Sequence, residues 1–231
     1  MSKLILMRHG QASFGEQKYD ELSELGRQQA RATGLWMQAQ ANHLDAVLCG
    51  PRSRQQSTAI EVLNAMDCAH SIRPAPDTFL DEFAEGEEIF KAAERRFGRP
   101  MLLRGERGGQ RSHKEVLQDY DALCRAWADG EVGIEGRASN SDFQAELANW
   151  LDSKVRDAAG TSGQHILVVT SAGVIAALVR HVLGLPASSW YSLLRVVRNA
   201  SLSEILYSKD RCSLLSFNGT AHLPASLHSS M

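Results

Sequence analysis

The sequence predicts an α/β fold: a mostly parallel sheet covered by helices on both faces, with a helical insertion. Short apolar runs of strand length recur along the chain, and helical stretches lie between several of them. At 231 residues the chain is long enough for one large domain with a sizeable insertion. A strand–helix–strand–helix order is that of a parallel sheet covered on both faces.

The strand runs are LILM (4–7), LDAVLC (44–49), HILVVT (165–170), LSEILY (202–207) and SLLSF (213–217). Between them, residues 21–41 set Leu22, Leu25, Gln29 and Ala32 at helical spacing, and 53–66 do the same with Ile60, Leu63 and Met66. Over 142–156, Phe143, Leu147, Trp150, Leu151 and Val155 fall on one helix face. After the third run comes AGVIAALVRHVLG, an apolar helix closing on Gly184 with Pro186 beyond it. Residues 84–140 are polar, rich in Arg and Glu, spotted with glycine and without a strand pattern. They are expected to form a mostly helical insertion over one sheet edge, inside a single domain spanning 1–231, because the Trp150 helix and the last strands come after them.

Composition narrows the class. Hydrophobic residues make up 43%, charged residues 23%, and the net charge is −2, as in an ordinary globular protein. No charge excess draws the chain to nucleic acid or a membrane surface, so neither is expected as a partner, and oligomeric state is not readable. Cys49, Cys68, Cys124 and Cys212 show no C-x-x-C pair and no metal-ligand spacing. Reduced, buried thiols are expected, and with them a cytoplasmic location. The opening MSKLILMRHG has only four consecutive apolar residues before an arginine, too few for a signal-peptide core or a membrane span.

In open α/β sheets, ligands bind beyond the carboxyl ends of the strands. The first strand delivers Arg8, His9 and Gly10; the second delivers CGPRSRQQSTA, with Arg52 and Arg54; the third delivers TSAGVI, a hydroxyl residue and a glycine opening a helix. If these edges are neighbours, arginines, a histidine and a helix N-terminus converge, which makes an anion site. Phosphate fits best, because arginine offers a planar fork matched to its oxygens and helix-start N–H groups add donors and a favourable dipole. A histidine there has a use as a nucleophile: a neutral imidazole can attack phosphorus and split one transfer into two steps, and flanking arginines disfavour the imidazolium.

Several segments together resemble the histidine phosphatase superfamily, whose other familiar members are the cofactor-dependent phosphoglycerate mutases. LILMRHGQAS is similar to its signature strand end, GPRSRQQSTAIEVL to its second arginine motif and LDEFAEGE to its acidic segment, while NASLSEI and LLSFNGTAHLP resemble its closing strands and tail. The resemblance implies a three-layer α/β/α sandwich whose helical insertion shapes access for a small phosphorylated substrate; no metal-ligand cluster is present in the sequence, and neither a metal nor a cofactor is expected. The resemblance also implies His9 as nucleophile, Arg8 and Arg54 as phosphate clamps, and Glu82 as proton donor to the leaving oxygen.

Departures matter as much. Where the family carries Ser-His-Gly-Gly-Val-Ile, this chain reads TSAGVI, which puts Ser171 in place of the second histidine and Ala172 in place of the first glycine; Gly50 and Arg52 replace the usual serine and leucine. His165 starts the same strand six residues earlier, about 20 Å from its far end. His181 lies well into the following helix, leaving only His113, in the insertion, able to fold back. Each candidate also has a plainer role. Arg54 and Arg52 can be solvated helix-start residues. Glu82 sits among Asp81, Glu85, Glu87 and Glu88, with Glu85 the second candidate acid, and neighbouring negative charge would raise either pKa. Ser171 can be an N-cap that leaves the next amides, starting at Ala172, pointing at an anion. Gln11 and Ser13 can touch phosphate or shape the loop. The expectation is a metal-independent phosphomonoester hydrolase, slowed by Ser171; a mutase-type phosphotransferase and a weakly catalytic phosphate-binding or regulatory protein are the alternatives.

Overall fold

The computed structural model describes residues 1–13, 20–41, 43–101, 111–157, 163–208 and 211–229, with the side chains of 155–157 outside that description. The chain runs β1 (Ser2–Arg8), α1 (Glu24–Ala39), β2 (Ala46–Cys49), α2 (Ser53–Ala65), β3 (Ala75–Pro76), α3 (Gly86–Phe97), α4 (His113–Ala128) and α5 (Asn140–Asp157). It continues through β4 (His165–Thr170), α6 (Ala172–Val182), α7 (Ser189–Leu194), β5 (Leu202–Ser208) and β6 (Arg211–Gly219). Among the described residues these strands form one six-stranded sheet in the order β3-β2-β4-β1-β5-β6. The pairs β3–β2, β2–β4 and β4–β1 are parallel, while β1–β5 and β5–β6 are antiparallel.

Two cores explain why β1 reads as an unbroken apolar run. Leu4 and Leu6 face one layer, with α3 to α7, whereas Ile5 and Met7 face the other, with α1 and α2. A strand with helices on both faces has no solvent side to leave polar. The expected three-layer sandwich is therefore the observed fold. Residues 84–140 hold α3 and α4, whose Ile89, Ala93, Leu123 and Trp127 are buried in the same core as Leu4. No described helix is long and apolar enough to cross a membrane. The cysteines are all free; Cys49 and Cys124 are buried, Cys68 and Cys212 half-buried.

Two helix faces differ from the sequence reading. In α1 the buried stripe is Gly26, Gln29, Ala30, Thr33, Gly34 and Met37, so Leu25 and Ala32 lie at its margin. Small residues take the buried side because α2 comes so close that a Cβ at Gly34 would overlap the Val62 carbonyl oxygen. In α2, Ile60 faces solvent while Arg54, Gln55 and Thr58 are buried. Apolar periodicity fails there because the buried face carries polar groups that find hydrogen-bond partners inside. On α5, Phe143, Leu147, Trp150 and Leu151 are buried as the spacing predicts; the Val155 side chain lies outside the described residues.

Candidate active site

β2, β4 and β1 are adjacent and parallel, and they end almost level, with Arg8 opposite Thr170 and Cys49 opposite Val169. The three predicted edges are therefore neighbours. The His9 N–H donates to the Thr170 carbonyl at 2.8 Å, extending the β1–β4 ladder by one residue. Gly10 follows without room for a side chain, since a Cβ there would overlap the Gly26 carbonyl oxygen of α1. Its N–H donates to Thr58 Oγ1 at 3.1 Å.

His9 is buried and its tautomer is fixed. Its Nδ1 lies 2.7 Å from the Gly10 carbonyl oxygen, which can only accept, so Nδ1 carries the proton and donates. Arg54 Nε, which can only donate, lies 3.3 Å from Nε2, so Nε2 holds a lone pair. Burial, then the positive charges of Arg54 and Arg8, hold the imidazole well below the usual histidine range, outweighing the Gly10 bond. Arg8 is buried beside it and donates from Nη1 to the Val197 carbonyl at 2.6 Å.

Arg54 is nearly encased. Its Nη1 donates to Asp20 Oδ1 at 2.8 Å and Glu85 Oε2 at 3.1 Å, and its Nη2 donates to Glu85 Oε1 at 3.0 Å. Arg52 Nε also lies 3.0 Å from Glu85 Oε1, while Arg52 forms a fork onto Asp81 at 2.6 and 2.7 Å. Arg137 joins this rim through Glu88 at 2.8 Å. Arg52 is thus bound to carboxylates at the edge of the site.

Glu82 is placed by the short 3₁₀ turn Thr78–Leu80, whose Leu80 carbonyl accepts from Thr170 Oγ1 at 2.8 Å and Gln55 Nε2 at 3.3 Å. Its own carboxylate accepts from the Phe83 N–H at 3.0 Å and, at 3.2 Å, from the Gly173 N–H in the first turn of α6. Burial raises its pKa above the usual carboxylate range; the two amide bonds and the nearby Arg54 and Arg8 pull the other way and lose. The elevation comes from desolvation, not from the neighbouring acids that the sequence pointed to. Both Arg54 and Arg8 are close enough to act on His9 and on Glu82.

Ser171 occupies the N-cap position of α6 but makes no capping bond. Its Oγ instead accepts from Gln55 Nε2 at 2.9 Å, with both side chains buried. The capping bond, the plainer role for Ser171, is therefore not made, and the amide two residues on is taken by Glu82. Ala172 is buried at the head of the helix. Gln11 is turned toward α1, where its Oε1 accepts from Ser23 Oγ at 3.0 Å and its N–H donates to Gln29 at 2.8 Å; Ser13 N–H bonds the Glu21 carbonyl. His165 lies at the opposite end of β4, His181 pairs with Asp152 at 3.0 Å, and His113 is exposed at the start of α4. Among the described residues no three His, Cys, Asp or Glu side chains gather as a metal site requires. Asp20 and Gln55 escaped the sequence reading. Gln55 directly follows Arg54 and faces inward with it, which marked it as part of the same buried edge; Asp20 had no local signal.

A buried imidazole whose pKa is lowered, beside two arginines at the carboxyl ends of parallel strands and an acid whose pKa is raised, is an arrangement that can attract an anion and exchange a proton. The chain matches the histidine phosphatase superfamily (branch 1) over residues 4–97 and 105–220, and it belongs to that superfamily. No curated protein matches it. Among solved structures it is similar to a phosphoglycerate mutase from Bacillus anthracis str. Sterne, at 18% identity and TM-score 0.64, covering 96% of this chain and 94% of that one. A mycobacterial glucosyl-3-phosphoglycerate phosphatase aligns at 22% identity and TM-score 0.64, covering 96% and 100%. A phosphoserine phosphatase from Entamoeba histolytica, in complex with phosphoserine, aligns at 18% and 0.65, covering 97% and 100%. These likenesses show a shared fold. Members of the superfamily are mostly phosphatases or mutases, and phosphoryl transfer is the chemistry the family fits.

Proposed function

We propose that the protein hydrolyses small phosphomonoesters through a covalent phosphohistidine on His9. The observation that carries this reading is the fixed Nδ1–H tautomer, which leaves the Nε2 lone pair beside the Arg54 guanidinium. In the first step Nε2 attacks phosphorus, the bond from phosphorus to the ester oxygen breaks, and Glu82 gives its proton to the departing alkoxide. Arg8 and Arg54 carry the charge that builds on the phosphoryl oxygens. In the second step Glu82, now a carboxylate, takes a proton from water, the water oxygen bonds to phosphorus, and the N–P bond breaks.

Hydrolysis is favoured over mutase action because a mutase must hold a diphosphorylated intermediate away from water, and this chain has Ser171 where the family pattern carries a second histidine. Gln11, Ser171 and the Ala172 amide are the remaining candidate phosphate contacts, and no cofactor or metal enters either step. No charge excess points to nucleic acid or membrane partners, and a cytoplasmic location is consistent with free cysteines. Rapid quenching of the reaction with a labelled phosphomonoester into alkaline detergent, followed by recovery of the protein, tests the proposal. An acid-labile, base-stable label on His9 is expected; turnover without any such label would overturn the mechanism.

A further inference from the structure

The orientation of Arg54 has a visible cause. A guanidinium has five N–H groups, and those pointing away from its Nε edge are held here by two carboxylates: Glu85 spans Nη1 and Nη2 end-on, and Asp20 takes Nη1 from the side. What remains directed at His9 Nε2 is the Nε side of the fork. Glu85 is itself anchored. It heads α3, its N–H donates to Glu88 at 2.8 Å, and Arg52 approaches the same Oε1 that bonds Arg54. Asp20 is fixed by the Ser53 N–H at 2.8 Å, at the start of α2.

We propose that Glu85, with Asp20 in support, is a positioning residue that holds the Arg54 guanidinium end-on, so that its Nε edge faces the phosphoryl group during transfer to His9. This rests on the phosphatase reading above and assigns Glu85 a role other than proton donor. Without the grip, the long arginine side chain has several rotamers available, and a misplaced clamp costs rate even though its charge is still present. Glutamine at the same position keeps one acceptor oxygen and should keep part of the grip.

The test uses the full chain with Glu85→Ala, Glu85→Gln and Asp20→Asn. Orthophosphate affinity is measured by calorimetry, and kcat and KM are measured on a phenyl and an alkyl phosphate. Glu85→Ala should weaken orthophosphate binding and lower kcat/KM by about tenfold to a hundredfold, equally for both esters. Glu85→Gln should recover part of that loss, and Asp20→Asn should show the same pattern at smaller size. A loss confined to the alkyl ester would make Glu85 the acid and overturn the proposal, as would unchanged or tighter orthophosphate binding in Glu85→Ala. If wild-type protein forms no phosphohistidine, the phosphatase reading fails; the orthophosphate titrations still decide whether Glu85 positions Arg54.

Discussion

The carboxylate of Glu82 rests on the backbone N–H of Gly173, 3.2 Å away, in the first turn of α6. A glycine is required there, because a Cβ at 173 would overlap Glu82 Oε1 and crowd the Phe83 ring. Trp190 Nε1 holds the Gly173 carbonyl at 2.9 Å from the other side, so the peptide has little room to yield. Gly173→Ala should therefore dislodge Glu82 while α6, buried from Ala172 to Val179, stays folded. Activity on alkyl phosphates should fall about a hundredfold, with a smaller loss on aryl phosphates, because only poor leaving groups need the proton. Parallel kinetics on the two ester classes, with circular dichroism for the helix, check this.

The pH profile follows from two opposite shifts. His9 must be neutral to attack and is held below its ordinary value of about 6.5, so the acid limb of kcat/KM lies below that value. Glu82 must be protonated for the first step and is raised by burial, so the alkaline limb lies above the ordinary carboxylate range. Glu82→Gln should abolish the alkaline limb seen with alkyl phosphates and leave the acid limb in place. An alkaline limb that persists in Glu82→Gln assigns it to another group.

The same shifts predict stability. His9 takes up a proton more readily unfolded than folded, so it contributes stability that is present above about pH 6.5 and is lost as pH falls through its lowered folded value. Glu82 runs the other way, favouring the fold at acid pH and losing that contribution as pH rises through its raised value. His9→Ala should remove phosphoenzyme and lower turnover on the order of 10³-fold or more. It should also flatten the decline in urea midpoint between pH 7 and 5, and a midpoint curve parallel to wild type would contradict the burial-driven shift.

Ser171 and Gln55 should behave as a pair. Ser171 Oγ accepts from the buried Gln55 amide, and Gly50 makes room for that amide, since a Cβ at 50 would overlap Gln55 Oε1. Ser171→His alone forces a ring against Gln55 and should cost about 1–3 kcal/mol of stability, as overpacking does. Gln55→Ala gives up its own bond to the Leu80 carbonyl, but it should cost less in the Ser171→His background than in wild type, a coupling that a double-mutant cycle in urea reads out. Additive losses would show that the two positions do not share space.

The strands and the points where they leave the core can be read along the chain, because an unbroken apolar run that gives way to arginine, histidine and glycine marks the end of a strand covered on both faces. LILM leading into Arg8 and His9 is legible because β1 is covered on both faces, so polarity can begin only where the strand leaves the core. Glu82 stands out only through the resemblance of LDEFAEGE to the family's acidic segment, and nothing in that segment shows the burial that raises its pKa. Which side chains meet depends on the assembled sheet. Ser171 meets Gln55, 116 residues away, and Arg54 meets Asp20 and Glu85 from two different segments. Such pairings depend on how separate strand ends are brought level in the sheet. Side-chain spacing along one segment carries no record of that register, and the burial that sets the protonation of His9 and Glu82 exists only once both layers close over them.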